Sequence, residues 1–229
     1  KYDGQNLIVF EVYQAKLDER KKVVKTLKKH TRLSKIEQMS EQDMKQWIKQ
    51  YLNHEYKDIK EDALNLFIEL TGINYNIVKQ ELEKLILFLG DRNTVNKDDV
   101  KQIVNRSLEQ NVFLLTDYIQ QNKKAKAVQL VKDLIAMKEE PIKLLALITN
   151  NYRLYYQCKI LQQKGYSNQQ ISKTVNAHPY RVKLAWNQAR RYALPSLLNI
   201  IDSCAETDYK LKSSYMDKNL ILELFILSL

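Results

Sequence analysis

The segment Ser167–Arg191 reads SNQQISKTVNAHPYRVKLAWNQARR. Its first half has the polar character of a short helix with Ile171 and Val175 on one side. The sequence Ala-His-Pro-Tyr then interrupts it, and the second half carries Arg181, Lys183, Arg190 and Arg191. Four cations on a helix that follows a tight turn could offer guanidinium and ammonium groups to the phosphates and base edges of DNA, as a helix-turn-helix does. The same residues have another description. Val182, Ala185, Trp186, Ala189 and Ala193 recur at steps of three and four, which makes one apolar stripe, and Lys183, Asn187 and Arg191 lie away from it. A base-reading helix offers short polar side chains in its first turn, whereas this one begins Pro-Tyr-Arg-Val. The pattern favours a packed helical pair with a solvated basic face. A helix-turn-helix DNA-binding regulator built on residues 167–191 stands as the alternative.

Other reactive residue types do not assemble into a site. Gly4, Gly72, Gly90 and Gly165 are isolated, so no glycine-rich phosphate loop exists. His30, His54 and His178 are far apart, and no nucleophile–base–acid set is legible around them. Asp98-Asp99 and Glu139-Glu140 fall where helices should start, and there acidic side chains complement the helix dipole. His178, just before Pro179, suits a capping or packing role. Cys158 and Cys204 sit in apolar helical patterns without metal-ligand spacing and read as reduced, buried thiols. The expectation is no catalytic residue, no metal site and no cofactor.

The elements around these residues are helical. A 229-residue chain with four glycines and three prolines has few of the residues that turns in β-rich folds need. The exception is Asn6–Tyr13, NLIVFEVY, a β-branched and aromatic run that predicts a buried strand, followed by a helix in LDERKKVVKTLKKH. One strand and one helix cannot bury themselves, so residues 1–31 are expected to be the end of a larger α/β domain, with any nucleotide site in the part not seen here. Residues 32–106 predict four short helices. Residues 107–229 predict seven, over 111–121, 123–137, 141–164, 167–176, 179–192, 195–211 and 217–229. Tyr152, Tyr155 and Tyr156 fall at packing positions. Of the net charge of +10, residues 1–31 contribute +4, residues 32–106 contribute −1 and residues 107–229 contribute +7. A basic C-terminal block points to a polyanion nearby without implying specificity. No apolar run is long enough to span a bilayer, and the expected location is cytoplasmic.

Six stretches in order resemble the delta subunit of the bacterial DNA polymerase III clamp loader. LIVFEVYQAKLDERKKVVKTLKK resembles the last strand and helix of that family's first, AAA+-like domain. QELEKLILFLG at 80–90 resembles its lid-like second domain. NVFLLTDYI at 111–119, LLALITNNYRLYYQCKIL at 144–161, HPYRVKLAWNQAR at 178–190 and DYKLKSSYMDKNLILELFIL at 208–227 resemble its third domain. The resemblance implies a mainly α chain: a strand–helix remnant of an AAA+-like domain at 1–31, a lid-like helical bundle at 32–106 and a helical collar, or oligomerisation, domain at 107–229. It implies a subunit that does not itself hydrolyse ATP. Such a subunit joins other clamp-loader subunits through the collar, opens the sliding clamp through the first domain, and helps load it onto primer–template DNA. Tyr215, standing among Lys210, Lys212 and Lys218 in a polar break between helices, is then the candidate DNA contact, an aromatic for an unpaired base among cations for phosphates. The last helix, NLILELFILSL, is apolar on nearly every side. Leu220, Leu224 and Leu227 are expected in the collar core, with part of the opposite face on a neighbour; Leu220, Leu224 and Phe225 are the candidate interface residues.

Overall fold

The computed structural model describes residues 8–12, 17–34 and 38–229. The described residues form twelve α-helices and two strands of two residues each, the mainly α fold that the sequence implies. The chain divides into two compact units, Lys1–Gln38 and Met39–Leu229.

The first unit contains α1 (Lys22–His30). Helix was expected from Leu17, but the Asp18 carboxylate accepts from the backbone and side-chain nitrogens of Arg20, both at 3.1 Å. That local turn competes with helix and moves its start to Lys22. Lys28, Lys29 and His30 occupy the last turn, where the helix dipole favours cations. The strand expected at 6–13 is not formed over residues 8–12, and Ile8, Val9, Phe10 and Val12 are exposed. A strand exists only through hydrogen bonds to a neighbour, and the described residues supply none. The rest of that expected strand lies outside the described residues.

The second unit begins with α2 (Glu41–His54), β1 (Asp58–Ile59), α3 (Glu61–Thr71), α4 (Tyr75–Leu89), β2 (Thr94–Val95) and α5 (Lys97–Ile103). The helix starts follow from their caps. Ser40 accepts from the Asp43 N–H while Asp43 accepts from the Ser40 N–H, and Asn96 and Asp99 form the same reciprocal pair. Burial works to raise the Asp99 pKa, but the Asn96 N–H and Arg92 at 2.8 Å outweigh it and hold the carboxyl below its usual range. β1 and β2 pair in parallel, Asp58 with Thr94 and Ile59 with Val95. Lys57 Nζ secures this crossing by donating to the carbonyls of Gly90 and Arg92. Ile48, Leu52, Leu64, Phe67, Leu82 and Leu85 fill the smaller core between these helices.

The remaining helices are α6 (Leu108–Gln120), α7 (Lys124–Ala136), α8 (Pro141–Gln163), α9 (Asn168–Val175), α10 (Pro179–Ala189), α11 (Leu194–Ser213) and α12 (Lys218–Ser228). They enclose a larger core running from Val112 to Ile226. α8 is its axis and packs against α6, α9, α10, α11 and α12. Tyr152 and Tyr155 of α8 are fully buried, as their spacing predicts, and both rings meet Tyr192. The Tyr155 hydroxyl lies 2.8 Å from Thr116 Oγ1, so its polar end is satisfied within the core.

The sequence places boundaries at 31 and 106. The division into compact units falls at 38, and residues 39–229 hold two apolar cores within one unit. The cores meet where α3 ends. Ser107 N–H donates to the Leu70 carbonyl at 2.8 Å, and Arg106 reaches Glu69 at 3.5 Å. Tyr180 of α10 crosses over and is buried in the smaller core, its hydroxyl donating to the Ile68 carbonyl at 3.4 Å. Gly72 ends α3 at φ +72°, and a Cβ there would stand 3.0 Å from Gln110 Nε2, so a side chain is excluded twice. Replacing Tyr180 with Ala should lower unfolding free energy by about 3 kcal/mol in urea titration, and Tyr180→Phe, which loses one long hydrogen bond, by about 1 kcal/mol or less. Equal losses for the two would refute the packing role.

Candidate nucleic-acid interface

The basic helix pair is built into the molecule. Ser167 and Gln170 cap α9 reciprocally, and Asn176 ends it in the left-handed conformation. His178 then caps α10. Its Nδ1 accepts from the Tyr180 N–H at 3.0 Å, which leaves Nε2 as the donor to the Met39 carbonyl, also at 3.0 Å. Capping is the role the sequence suggests for this histidine. Val182, Ala185 and Ala189 are completely buried and Trp186 is half-buried, so the stripe is core along α10, while Ala193, beyond the end of that helix, is exposed. Lys183 meets Glu41 at 2.7 Å, Arg191 meets Asp117 at 2.9 Å, and Arg181 lies 3.9 Å from Glu109. Three of the four cations therefore face carboxylates of α2 and α6. This arrangement does not favour the helix-turn-helix regulator, which needs those charges directed at phosphates.

The turn between α11 and α12 is different. Tyr215 has 108% relative exposure, the fullest of any large apolar or aromatic side chain among the described residues. The backbone around it is fixed. Ser214 N–H donates to the Lys210 carbonyl, Ser214 Oγ accepts from the Met216 N–H, and Asp217 caps α12 by accepting from Leu220 N–H at 2.9 Å. Lys210, Lys212 and Lys218 are all exposed. Lys212 is held by Asp208 at 2.6 Å; Lys210 and Lys218 make no ion pair among the described residues. Lys218 is the first residue of α12, where the helix dipole disfavours a cation. The four candidates thus cluster where α11 ends and α12 begins, with an open aromatic ring and two cations that make no ion pair among the described residues.

The α12 assignments need correction. Leu220, Leu224 and Leu227, expected in the core, are 46%, 50% and 44% exposed. Ile221, Leu222, Phe225 and Ile226 are buried instead. Phe225, expected at an interface, belongs to the domain's own core, while Leu220 and Leu224 lie outside. A helix apolar on nearly every side has no periodicity to say which side packs. The decision is made by α7, whose Lys124 Nζ donates to the Leu227 carbonyl at 2.7 Å and whose Lys132 reaches Glu223 at 3.5 Å. The outcome is a row of exposed leucines at steps of four and three.

One feature escapes sequence reasoning altogether. A groove of about 280 Å³ runs between α8 and α11, lined by Ala146, Asn150, Arg153, Cys204, Ala205 and Asp208. Burial raises the Cys204 thiol pKa, partly offset by Thr149 and Arg153, which keeps it an unreactive thiol. No helix among the described residues is long and apolar enough to cross a membrane.

The described residues therefore form a mainly α protein with two apolar cores, a basic C-terminal helical region and an exposed leucine row on its last helix. Residues 109–229 match the family described as DNA polymerase III delta subunit, C-terminal domain, and the chain belongs to that family. It is 40% identical over 214 residues to the DNA polymerase III subunit delta of Bacillus subtilis, covering 93% of this chain and 62% of the relative. It is 25% identical over 225 residues to the probable DNA polymerase III subunit delta of Aquifex aeolicus, covering 96% and 64%. The solved Bacillus subtilis DNA clamp loader delta protein superposes with a TM-score of 0.78 at 40% identity, over 93% of this chain and 63% of that one. The chain spans just under two-thirds of the length of these relatives.

The Lys183–Glu41 pair has a pH signature. Burial works to raise the Glu41 pKa, but Lys183 and then Lys45 outweigh it and hold the carboxyl below its usual range. A depressed folded-state pKa contributes stability above the unfolded value, about pH 4, and that contribution is lost as pH falls through the folded value. Lys183→Ala should therefore be less stable than the natural chain at pH 7, by under about 1 kcal/mol for a partly exposed pair. The difference should shrink toward zero near pH 3, as read by urea unfolding at both values.

Proposed function

We propose that this chain is the lid-and-collar part of a clamp-loader delta subunit, which helps to open the sliding clamp and load it onto primed DNA during replication. In this reading residues 32–106 are the lid-like bundle and residues 107–229 the collar. The collar joins the other clamp-loader subunits. The sliding clamp is engaged through the AAA+-like domain, of which residues 1–31 are the end. The chain works in the cytoplasm, carries no catalytic site and uses no cofactor of its own. The carrying observation is the 40% identity and shared fold with a clamp loader delta protein over 93% of the chain. A pull-down of the full-length protein on sliding clamp tests it; failure to bind would count heavily against the reading.

Two surfaces have distinct roles in this proposal. The α11–α12 turn faces primer–template DNA, with the Tyr215 ring stacking on an unpaired base and Lys210, Lys212 and Lys218 near phosphates. The row Leu220, Leu224 and Leu227 meets an adjacent subunit, because an exposed leucine row on a helix is apolar surface that a partner can cover. In the assembled complex, Tyr215→Ala should weaken binding to primed DNA roughly fivefold or more without changing the melting temperature. Changing the three lysines to Ala should flatten the slope of log affinity against log salt by up to about one for each phosphate that a lysine neutralises. Leu224→Glu should abolish assembly with partner subunits on gel filtration while leaving helix content intact; assembly that survives it would remove α12 from the interface.

A further inference from the structure

The face formed by α2 and α4 carries an aromatic cluster that the smaller core only partly absorbs. The Trp47 ring centroid lies 5.1 Å from that of Tyr51 and 4.9 Å from that of Tyr75, with tilts of 36° and 56°. Trp47 and Tyr51 lie half-buried against the core, and Tyr75, the first residue of α4, is 44% exposed. Exposed acids adjoin the rings. Glu83 accepts from the Tyr51 hydroxyl at 3.5 Å, and Glu55 follows Tyr51 by one helical turn. Burial first, then Glu83 and Glu55, raise the Tyr51 pKa, with Lys79 opposing them.

Two of the nearby cations are engaged with other groups, while Lys79 shares the Glu83 carboxylate in an exposed pair that a guanidinium can replace. Lys49 pairs with Glu61 at 2.9 Å, Lys45 with Glu41 and Asn65, and Lys79 stands 3.8 Å from Glu83. The cation–π contact found among the described residues is Arg92 over Phe88, and it uses none of these three rings. Ring faces and carboxylates both attract cations, and a planar guanidinium satisfies both at once by stacking on a ring and forking to a carboxylate. A phosphate backbone would meet Glu83 and Glu55, so these rings are poorly placed to stack on nucleic acid bases. The basic excess of the chain also lies outside residues 32–106.

We propose that the Trp47–Tyr51–Tyr75 face docks an arginine-bearing segment of a partner protein, with the guanidinium over the rings and Glu83 at its edge. The two tryptophans of the chain are Trp47 and Trp186, so Trp186→Phe makes Trp47 the sole indole reporter in the full chain. The probe is the blocked peptide acetyl-Gly-Arg-Ala-Arg-Gly-amide, compared with its Lys and Glu counterparts and with a twelve-residue oligothymidylate. The expected result is a saturable change in Trp47 emission with the Arg peptide, weaker with Lys and absent with Glu or oligothymidylate. Glu83→Gln and Tyr75→Ala, both at exposed positions, should each weaken the Arg peptide roughly threefold or more. Should Trp186→Phe lose helix content, subtracting the emission of a Trp47→Phe chain from that of the natural chain gives the same readout. Indistinguishable Arg and Glu curves, an unchanged curve in both variants, or saturation by oligothymidylate would each overturn the proposal.

Discussion

Tyr180 belongs by sequence to the larger C-terminal helical domain, yet its ring is buried in the core of the smaller one. The placement is constrained from both directions along the chain. Pro179 sets the first helical residue of α10, His178 caps it, and Leu184, one turn further on, packs against both cores. With Tyr180 seated, Lys183 comes to Glu41 and the His178 imidazole to the Met39 carbonyl. The helix that looked most like a DNA reader is thereby fixed as a strut between two bundles.

That placement also sorts the positive charge. On α10, Arg181 and Lys183, and just beyond its end Arg191, face internal carboxylates, and their fields are largely answered within the chain. On the α11–α12 turn, Lys210 and Lys218 have no such partner among the described residues, and Tyr215 is fully exposed beside them. Equal counts of basic residues therefore have different consequences. Only charge that the fold leaves unanswered can raise the local concentration of a polyanion.

Apolar surface is sorted in the same way. α8 is buried on most of its circumference, and Thr116 takes the Tyr155 hydroxyl. This axis leaves α12 to cover one side of the core, with α7 gripping its end through Lys124 and Lys132. Once those contacts are made, four of the apolar residues of α12 are inside and the leucine row is left outside. That row is the apolar surface of the last helix that the fold leaves open.

Most helices were legible in the residues themselves, because caps such as Ser40 and Ser167, Pro141 and Pro179 at first helical positions, and Gly72 and Gly90 at ends act locally. The order of six family-like stretches was equally a property of sequence, as was the absence of a glycine-rich phosphate loop. Tertiary structure alone decided which side of α12 is core, that Arg181, Lys183 and Arg191 meet acids, that Asp18 delays α1, and that β1 and β2 pair at all. Each of these depends on a partner distant in the chain or on a competition between local contacts. Periodicity records that a face is apolar or charged, but only packing determines what that face meets.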